Sequence, residues 1–335
     1  QVEVSPQWDQ SSDTAVPIAI NLEPHKRTKY LTGLGYRTDT GARAKLGMTQ
    51  RWVNSKGHKL NTQLLTSQIR NSLNSQYSIP GERPKEDSYA VRVSFSDENS
   101  DSIDAQSYAL GISWQTQKQR WEQLLALDWT VETYTFGDVT QTSEFLIPKL
   151  NLTRVNTPDR LSVSRGNRFK LQLRGGSDAL LSDTNFVQLL IGSKLVHSLT
   201  PDLRLLGRID GGLTMVDNFD RLPATLRFYA GGDNSVRGYK YQSLGLKDDD
   251  GVVIGGRHLL VMSAEVDYRI RKNWWLAAFV DSGNAFDNTH LSLHTGIGVG
   301  VRWFTPIGPV RFDLGFPQTG DETGFRLHFS LGPDL

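Results

Sequence analysis

Apolar and polar side chains alternate strictly in four consecutive segments near the end of this chain. Between Leu260 and Ile270 the even positions are apolar, and the odd positions include Glu265 and Asp267. Residues two apart lie on the same face of a β-strand, so this period gives one sheet an apolar face and a charged face. The other three segments begin near residues 297, 310 and 325. The pattern predicts an all-β fold for this region.

The same alternation, followed along the rest of the chain, predicts sixteen strands. Apart from the first, each reaches the length of about 9–11 residues that a tilted strand needs to cross a bilayer. An even number of antiparallel strands is also what a single-chain membrane barrel requires. The predicted strands are residues 31–37, 42–53, 58–69, 72–80, 88–97, 105–117, 121–136, 143–155, 167–180, 184–198, 202–216, 257–270, 274–286, 295–304, 309–317 and 323–331.

Aromatic residues at the strand ends distinguish a membrane barrel from a soluble β-sandwich, whose strands alternate too. Trp52, Trp274 and Trp303 flank short predicted turns, and Trp121 begins a strand. Indole rings prefer the boundary between headgroups and hydrocarbon, so these four residues are predicted to form an interfacial girdle. The sequence therefore favours a 16-stranded antiparallel transmembrane β-barrel in contact with lipid.

The composition argues against several classes of function. The 37 basic and 36 acidic residues nearly balance, so there is no electrostatic reason to expect a nucleic-acid partner. The absence of cysteine excludes disulfides and thiolate sites, and it suits a chain that crosses an oxidising periplasm. The seven histidines lack the spacing of metal ligands. We expect no catalytic residue, no metal and no cofactor.

Residues 1–30 differ from the rest of the chain. Ile18 and Ile20 belong to an alternating stretch, but Pro17, Pro24 and the basic residues that follow do not suit a lipid-facing strand. We predict a soluble hairpin at 1–30 and a barrel at 31–335, whose longest loop runs from about 218 to 256. The first residues lack the basic and apolar regions of a signal peptide, so we interpret the sequence as a fragment.

The longest loop contains the segment Val236-Arg237-Gly238-Tyr239. An arginine between backbone-permissive residues is compatible with a solvated surface turn. A phosphate-binding loop is excluded, because the segment lacks the Gly-Lys-Ser/Thr ending and the strand-to-helix context. The segment resembles the Val-Arg-Gly-Tyr/Phe motif in the sixth extracellular loop of the BamA/TamA superfamily of outer-membrane assembly barrels.

Other segments extend this resemblance over nearly the whole chain. Residues 279–283 resemble the family's Phe-x-Asp-x-Gly strand motif through Phe279, Asp281 and Gly283. Residues 23–24 and 33–41 resemble the junction at which the last periplasmic POTRA domain enters the first strand. The sixteen strands, the compact loops and the lack of large insertions resemble the TamA branch of the superfamily more than the BamA branch.

The resemblance implies a location, a function and partners. The barrel would be integral to the bacterial outer membrane with a periplasmic N-terminus, and residues 1–30 would be the C-terminal part of the last POTRA domain. It would help to insert client outer-membrane proteins of the autotransporter type, while missing POTRA domains bind a TamB-like periplasm-spanning partner. The loop would fold into the lumen, where Arg237 meets acids of the wall. Alternation independently predicts that Glu265 and Asp281 point inward.

The seam between the first and last strands is predicted to be the weakest junction of the barrel. Gly33 and Gly35 weaken the first strand, which is the shortest of the sixteen, and Pro333 cannot donate a ladder hydrogen bond at the other edge. An edge that opens would offer unpaired backbone groups to a client strand. The closing strand also approximates the insertion signal of outer-membrane proteins, with Gly324, Leu327 and Phe329.

Two other functions are alternatives at this point. A two-partner-secretion-like pore of the same superfamily would export unfolded polypeptide through the lumen, although nothing in the chain resembles the N-terminal plug helix of such pores. A lipid-hydrolysing barrel enzyme would use His328 and Ser330, but alternation turns both side chains toward the lumen, where membrane lipid is absent. We therefore expect that the chain is not an enzyme.

Overall fold

A computed structural model describes residues 2–12, 14–22, 26–38, 40–158, 163–287, 291–305, 308–320 and 322–331. The chain begins with a small antiparallel hairpin, in which β1 (Val2–Pro6) pairs with β2 (Ile18–Leu22). A short 3-10 helix, Trp8–Gln10, lies between the two strands. In the part of the chain that is described, no helix is long and apolar enough to cross a membrane.

Sixteen further strands form one antiparallel sheet in which each strand pairs with its neighbours in the chain. The predicted fold class and strand count are therefore confirmed. The strands are β3 (Thr28–Arg37), β4 (Gly41–Gln50), β5 (Lys59–Ser67), β6 (Arg70–Pro80), β7 (Asp87–Asn99), β8 (Asp104–Lys118), β9 (Trp121–Phe136), β10 (Val139–Asn156), β11 (Arg165–Gly176), β12 (Phe186–Thr200), β13 (Leu203–Val216), β14 (His258–Arg271), β15 (Trp274–Phe286), β16 (His294–Thr305), β17 (Gly308–Pro317) and β18 (Arg326–Leu331).

The prediction that the first strand is the shortest is wrong. β3 has ten residues and pairs with β4 from Thr28 to Arg37, whereas β18 has six residues. Glycine keeps both backbone hydrogen-bonding groups, so Gly33 and Gly35 do not interrupt the ladder. The predicted start of the last strand at 323 fails because Gly324 has a φ of +91°, which strand geometry does not allow.

The two faces of the barrel wall differ as the alternation predicts. In β9, Leu125, Leu127 and Trp129 are exposed on the outside, whereas Asp128 and Glu132 are buried on the inside.

The long loop between β13 and β14, residues 217–257, contributes the apolar residues that fill part of the lumen. We call it loop 6. It contains the second 3-10 helix, Ala224–Leu226.

The four tryptophans predicted to form a girdle lie at one end of the barrel. Trp52 follows β4, Trp121 and Trp274 begin β9 and β15, and Trp303 lies near the end of β16. Antiparallel neighbours bring these strand ends to the same side. Trp274 and Trp303 are cross-strand partners whose rings stack with centroids 5.6 Å apart and an interplanar angle of 9°. All four positions are therefore compatible with one membrane interface.

Candidate functional site

Loop 6 enters the lumen and packs against the inner wall. Val236 and Tyr239 of the four-residue motif are almost completely buried, and they form a cluster with Ala230, Leu244 and Val261 of β14. Arg237 lies between them in the chain and points toward the wall. The apolar cluster fixes the loop backbone, so the position of the guanidinium is set by packing as well as by its own charge.

Arg237 contacts three carboxylates from three strands. Its Nε lies 2.7 Å from Oδ2 of Asp281, and its Nη2 lies 3.0 Å from Oδ1 of the same residue. Its Nη1 lies 2.7 Å from Oε2 of Glu265 and 3.1 Å from Oδ2 of Asp313. The pair with Asp281 is bidentate, which is the strongest geometry for a guanidinium and a carboxylate. The structure thus brings together Arg237, Glu265 and Asp281, the three residues that the sequence analysis singles out.

The strand register explains why these acids meet. Ser263 of β14 is opposite Asp281 of β15, and Glu265 is opposite Phe279, so all four side chains share the lumenal face. Phe279 supports the site from one side, because its ring centroid lies 3.4 Å from the Cζ of Arg237. Gly283 completes the strand motif, since a Cβ there would lie 2.6 Å from the carbonyl oxygen of Leu260. The Phe-x-Asp-x-Gly segment therefore supplies a cation–π face, an acid and a close backbone approach.

A second buried arginine, Arg302 of β16, extends the site. Its Nη2 lies 2.9 Å from Glu265 and its Nη1 lies 2.6 Å from Asp313. The sequence analysis did not assign Arg302 or Asp313 to the site, although both occupy polar positions in the alternating segments that begin near residues 297 and 310. The alternating pattern could have identified them, because it turns both side chains toward the lumen. Two charged side chains that are buried on adjacent strands must be paired with opposite charges.

The three surrounding carboxylates stabilise the positive charge of Arg237. Burial disfavours the charged form, but the hydrogen bonds and charge of Asp281, together with Glu265 and Asp313, outweigh it and raise the pKa of Arg237 above its ordinary value. Removal of either member of such a buried pair leaves an uncompensated charge, which costs about 3–5 kcal/mol. The ion pairs of Arg237 therefore hold loop 6 against the barrel wall.

Gly238 allows the loop to lie directly on the wall. Its φ is +98°, and a Cβ there would lie 3.0 Å from backbone atoms at Phe316 and Pro317. Gly296 provides the matching space on β16, since a Cβ there would overlap the carbonyl oxygen of Arg237. The hydroxyl of Tyr239 donates to the carbonyl oxygen of Thr319, 2.6 Å away.

The tip of loop 6 also contacts the two edge strands of the sheet. His328 of β18 accepts a hydrogen bond at Nε2 from the backbone N–H of Gly238, 2.9 Å away, and its Nδ1 lies 2.5 Å from Oδ1 of Asp233. The hydroxyl of Thr38, next to the end of β3, donates to the same Asp233 oxygen and accepts from the backbone N–H of Phe329. One network thus joins loop 6 to both sides of the seam.

A second set of contacts holds the first half of loop 6 to the opposite wall. Oε1 of Glu132 on β9 accepts from the backbone N–H of Thr225 at 3.1 Å, and Oε2 accepts from the Thr225 hydroxyl. Gln188 of β12 donates to the carbonyl oxygen of Leu226 at 2.8 Å. Arg227 donates to loop carbonyls, including that of Leu222 at 2.9 Å. The sequence analysis missed this anchor, because none of these residues belongs to a motif.

The seam lies between β3 and β18, the two ends of the sixteen-strand order. Over the described residues these strands touch but form no β-ladder. Tyr36 and Phe329 meet across the seam with ring centroids 6.4 Å apart. Leu327 is exposed beside them, and Gly324 lies in the preceding turn. Pro333, which the sequence analysis assigned to the seam, and residues 23–24 of the predicted POTRA junction lie outside the described residues.

The relatives of this chain include outer-membrane and outer-envelope proteins. The chain is 25% identical over 341 residues to outer membrane protein assembly factor BamA of Nitratidesulfovibrio vulgaris, covering 95% of this chain and 43% of the relative. It is 32% identical over 117 residues to the chloroplastic outer envelope protein 80 of Arabidopsis thaliana, covering 31% of this chain and 14% of the relative. It spans less than half the length of these relatives.

Solved structures share the fold. BamA from Haemophilus ducreyi, crystallised without POTRA domains 1–3, has a TM-score of 0.84 at 17% identity, covering 99% of this chain and 75% of that chain. CdiB from Escherichia coli has a TM-score of 0.62 at 14% identity, covering 98% of this chain and 66% of that chain.

The family model that matches this sequence describes the Omp85 superfamily domain and covers residues 27–334. The matched region includes all sixteen barrel strands, loop 6 and the Arg237 site. The apolar outer face, the tryptophans at one end and the homology to BamA identify an integral β-barrel of the outer membrane. The chain belongs to the Omp85 superfamily.

Proposed function

We propose that this barrel is an outer-membrane protein assembly factor that helps to insert autotransporter-type barrels through the seam between β3 and β18. The observation that carries the proposal is that the two edge strands form no ladder with each other over the residues that the structure describes. Unpaired backbone N–H and C=O groups are a template for an additional strand. A client strand could therefore pair with β3 or β18 while it enters the membrane.

The Arg237 site supports the same proposal. Loop 6 is fixed to β14, β15 and β17 through three carboxylates, and its tip reaches β18 through His328. This arrangement keeps the last strand in place, while the described part of its outer edge has no ladder partner. The contacts of Arg237 and His328 would thus hold the barrel together while the seam opens.

A reversible cross-link across the seam tests this function. Cysteines at Tyr36 and Phe329, whose rings already meet, would be oxidised in the full-length protein, and insertion of an autotransporter barrel would be measured. The matched control is a cysteine pair at Thr32 and Leu46, which are partners in the β3–β4 ladder. We expect insertion to stop only with the seam pair and to return on reduction. Full activity in the verified cross-linked seam variant would refute opening of the seam.

The remaining parts of the proposal concern partners and chemistry. We assign the β1–β2 hairpin to the end of a POTRA domain, and we place the protein in the TamA branch with a TamB-like periplasmic partner. We assign no enzymatic activity and no cofactor. His328 supports this assignment, because both of its ring nitrogens are used by Gly238 and Asp233. A lipid-hydrolysis assay that gave equal, background rates for the native protein and for His328→Ala would agree with it.

A secretion pore is the second candidate. A cavity of about 540 Å³ lies between loop 6 and the wall. Its lining combines apolar residues such as Leu124 and Val261 with charged ones such as Lys170 and Asp210. A cavity that offers both apolar and charged side chains could widen into a path for an unfolded chain. Single-channel conductance in planar bilayers separates the two functions, since an assembly factor sealed by loop 6 should conduct little, and a pore should conduct steadily.

A further inference from the structure

The first strands of the barrel carry almost only positive charge. From residue 26 to residue 80 the sequence contains one acidic residue, Asp39, in a chain whose net charge is only +1. Strands β3 to β6 contain no Asp or Glu. The ten basic residues of this stretch are Lys26, Arg27, Lys29, Arg37, Arg43, Lys45, Arg51, Lys56, Lys59 and Arg70.

The cations of β3 and β4 face the lumen. Tyr30, Leu34 and Leu46 occupy the alternate positions and are exposed, with Leu34 88% accessible, so the apolar face of these strands points to lipid. Lys29 and Arg37 therefore lie on the inner face of β3. The cross-strand register puts Arg43 and Lys45 of β4 on the same inner face, opposite Gly35 and Gly33.

The glycines of β3 bring the cations of β4 toward the open edge. A Cβ at Gly35 would lie 2.7 Å from Nε of Arg43, so the Arg43 side chain extends over Gly35 toward the seam. Lys45 is beside Gly33, which has no side chain to separate it from an incoming strand. The inner side of the β3 edge is thus bordered by Lys29, Lys45, Arg43 and Arg37 in order along the strand.

Strand β18 contributes no acidic side chain to the opposite edge of the seam. The inward residues of β18 are Arg326, His328 and Ser330, none of which is acidic. The nearest wall acid, Asp313 of β17, is already paired with Arg237 and Arg302. Asp233 of loop 6 lies at one end of the seam, where it contacts Thr38 and His328. Lys29 and Lys45 lie farther from this end along β3 and β4, and an acidic group placed beside them would gain Coulomb energy.

We propose that the edge of β3 selects extended polypeptide strands whose inward side chains are acidic and whose outward side chains are apolar. This inference rests on the proposed function, because it assumes that β3 accepts a client strand. Directly opposite and diagonal residues of paired strands interact, so inward Asp or Glu residues would meet Lys29 and Lys45, and inward Lys or Arg residues would be repelled. The cations face the lumen rather than the lipid, which favours a polypeptide over a lipid headgroup as the occupant.

Cross-linking of synthetic strands tests the selection. The full-length protein with Leu34→Cys, in vesicles of zwitterionic phosphatidylcholine, would be offered two peptides that each carry one outward cysteine. Both peptides have the same apolar outward residues, and their inward residues are Glu in one and Lys in the other. We expect the acidic peptide to form about fivefold more mixed disulfide at low salt, with the difference decreasing at high salt.

Charge reversal identifies the residues responsible. Lys45→Glu together with Lys29→Glu should remove the preference, because two acids then lie beside Arg37 and Arg43, while Lys59→Glu, on the inner face of β5 and farther from the edge, should leave it unchanged. Lys45→Gln, which removes only one charge, should reduce the preference without removing it. Heat-modifiable migration on gels would confirm that each variant retains a folded barrel.

The outcomes separate this inference from the proposed function. Two results would overturn the selection of acidic strands but leave strand addition at the seam intact. One is equal cross-linking of both peptides, and the other is a preference that stays the same in the charge-reversed variant. Absence of cross-linking with either peptide would overturn strand addition and the selection together. Loss of the preference when phosphatidylglycerol replaces phosphatidylcholine would show that lipid phosphates occupy these cations, and it would also overturn the assignment.

Discussion

The Nε2 atom of His328 lies 2.9 Å from the backbone nitrogen of Gly238, so the last strand of the barrel accepts a hydrogen bond from the Val-Arg-Gly-Tyr motif of loop 6. The adjacent residue, Arg237, is bound to the wall by three carboxylates. These two contacts, one residue apart in the chain, connect the buried charge site to an edge strand of the seam. A disturbance of the charge site is therefore expected to reach the seam.

Replacement of Arg237 should release loop 6 without unfolding the barrel. Arg237→Ala leaves Asp281, Glu265 and Asp313 without this partner, at a cost of about 3–5 kcal/mol. The ladders between strands do not involve this side chain and should persist. Limited proteolysis of loop 6 should accelerate, and client insertion should fall.

The control for this prediction is Lys240→Ala. Lys240 pairs with Asp101, but both side chains are more than half exposed, so its loss should have little effect. Arg237→Lys should be intermediate, because an ammonium group cannot make the bidentate contact. Unchanged proteolysis of the Arg237→Ala variant would contradict a locking role for this residue.

The acids around Arg237 should contribute unequally. Asp281 accepts two side-chain hydrogen bonds from Arg237 and one from its backbone N–H, whereas Asp313 accepts one from its side chain. Asp281→Asn should therefore expose loop 6 to protease more than Asp313→Asn does. Hydrogen bonds to charged groups contribute about 1.5–3 kcal/mol each, which predicts a clear difference in cleavage rate. Equal cleavage of the two variants would show that the bidentate geometry is unimportant.

The sequence predicts the wall of this barrel well, because the alternation within each strand shows which residues face the lipid and which face the lumen. β15 has the predicted bounds of residues 274–286, and Glu265 and Asp281 point inward as their parity requires. The end of the chain was less predictable, since the length of β18 depends on the left-handed backbone of Gly324. Local alternation contains no information about such a turn.

The contacts of loop 6 were predictable only where a motif marked them. Arg237 was identified because Val-Arg-Gly-Tyr resembles a family motif, whereas Glu132 and Thr225 are 93 positions apart and belong to no pattern. Their contact depends on how far loop 6 descends into the lumen. That depth is set by packing of the whole loop, including Leu222 and Ala224, and a single sequence does not specify it.

The second anchor of loop 6 should act locally. Glu132→Ala removes the acceptor for both the backbone N–H and the hydroxyl of Thr225, and an unsatisfied buried donor costs about 1–3 kcal/mol. Hydrogen exchange should increase in residues 219–227 and stay slow around Arg237. The control is Glu86→Gln, which alters an exposed acid in a turn. Faster exchange across all of loop 6 would show that the two anchors form one cooperative unit.

The hydroxyl of Thr38 should determine how firmly the seam is closed near the end of β3. It accepts from the backbone N–H of Phe329 at 3.3 Å and donates to Asp233, so it joins β18 and loop 6 to the end of β3. Thr38→Val keeps the shape of the side chain and removes both hydrogen bonds, each of which contributes about 0.5–1.5 kcal/mol. The amide of Phe329 should then exchange with solvent about tenfold faster.

Thr38→Ser is the matched variant, because it keeps the hydroxyl and loses only a methyl group. It should retain the slow exchange of Phe329, and cysteines at Tyr36 and Phe329 should cross-link at the native rate in its background. In the Thr38→Val background the same pair should cross-link more slowly, because the two edges spend more time apart. If Ser and Val give the same exchange rate at Phe329, the hydroxyl does not hold the seam, and the contact between Tyr36 and Phe329 alone must do so.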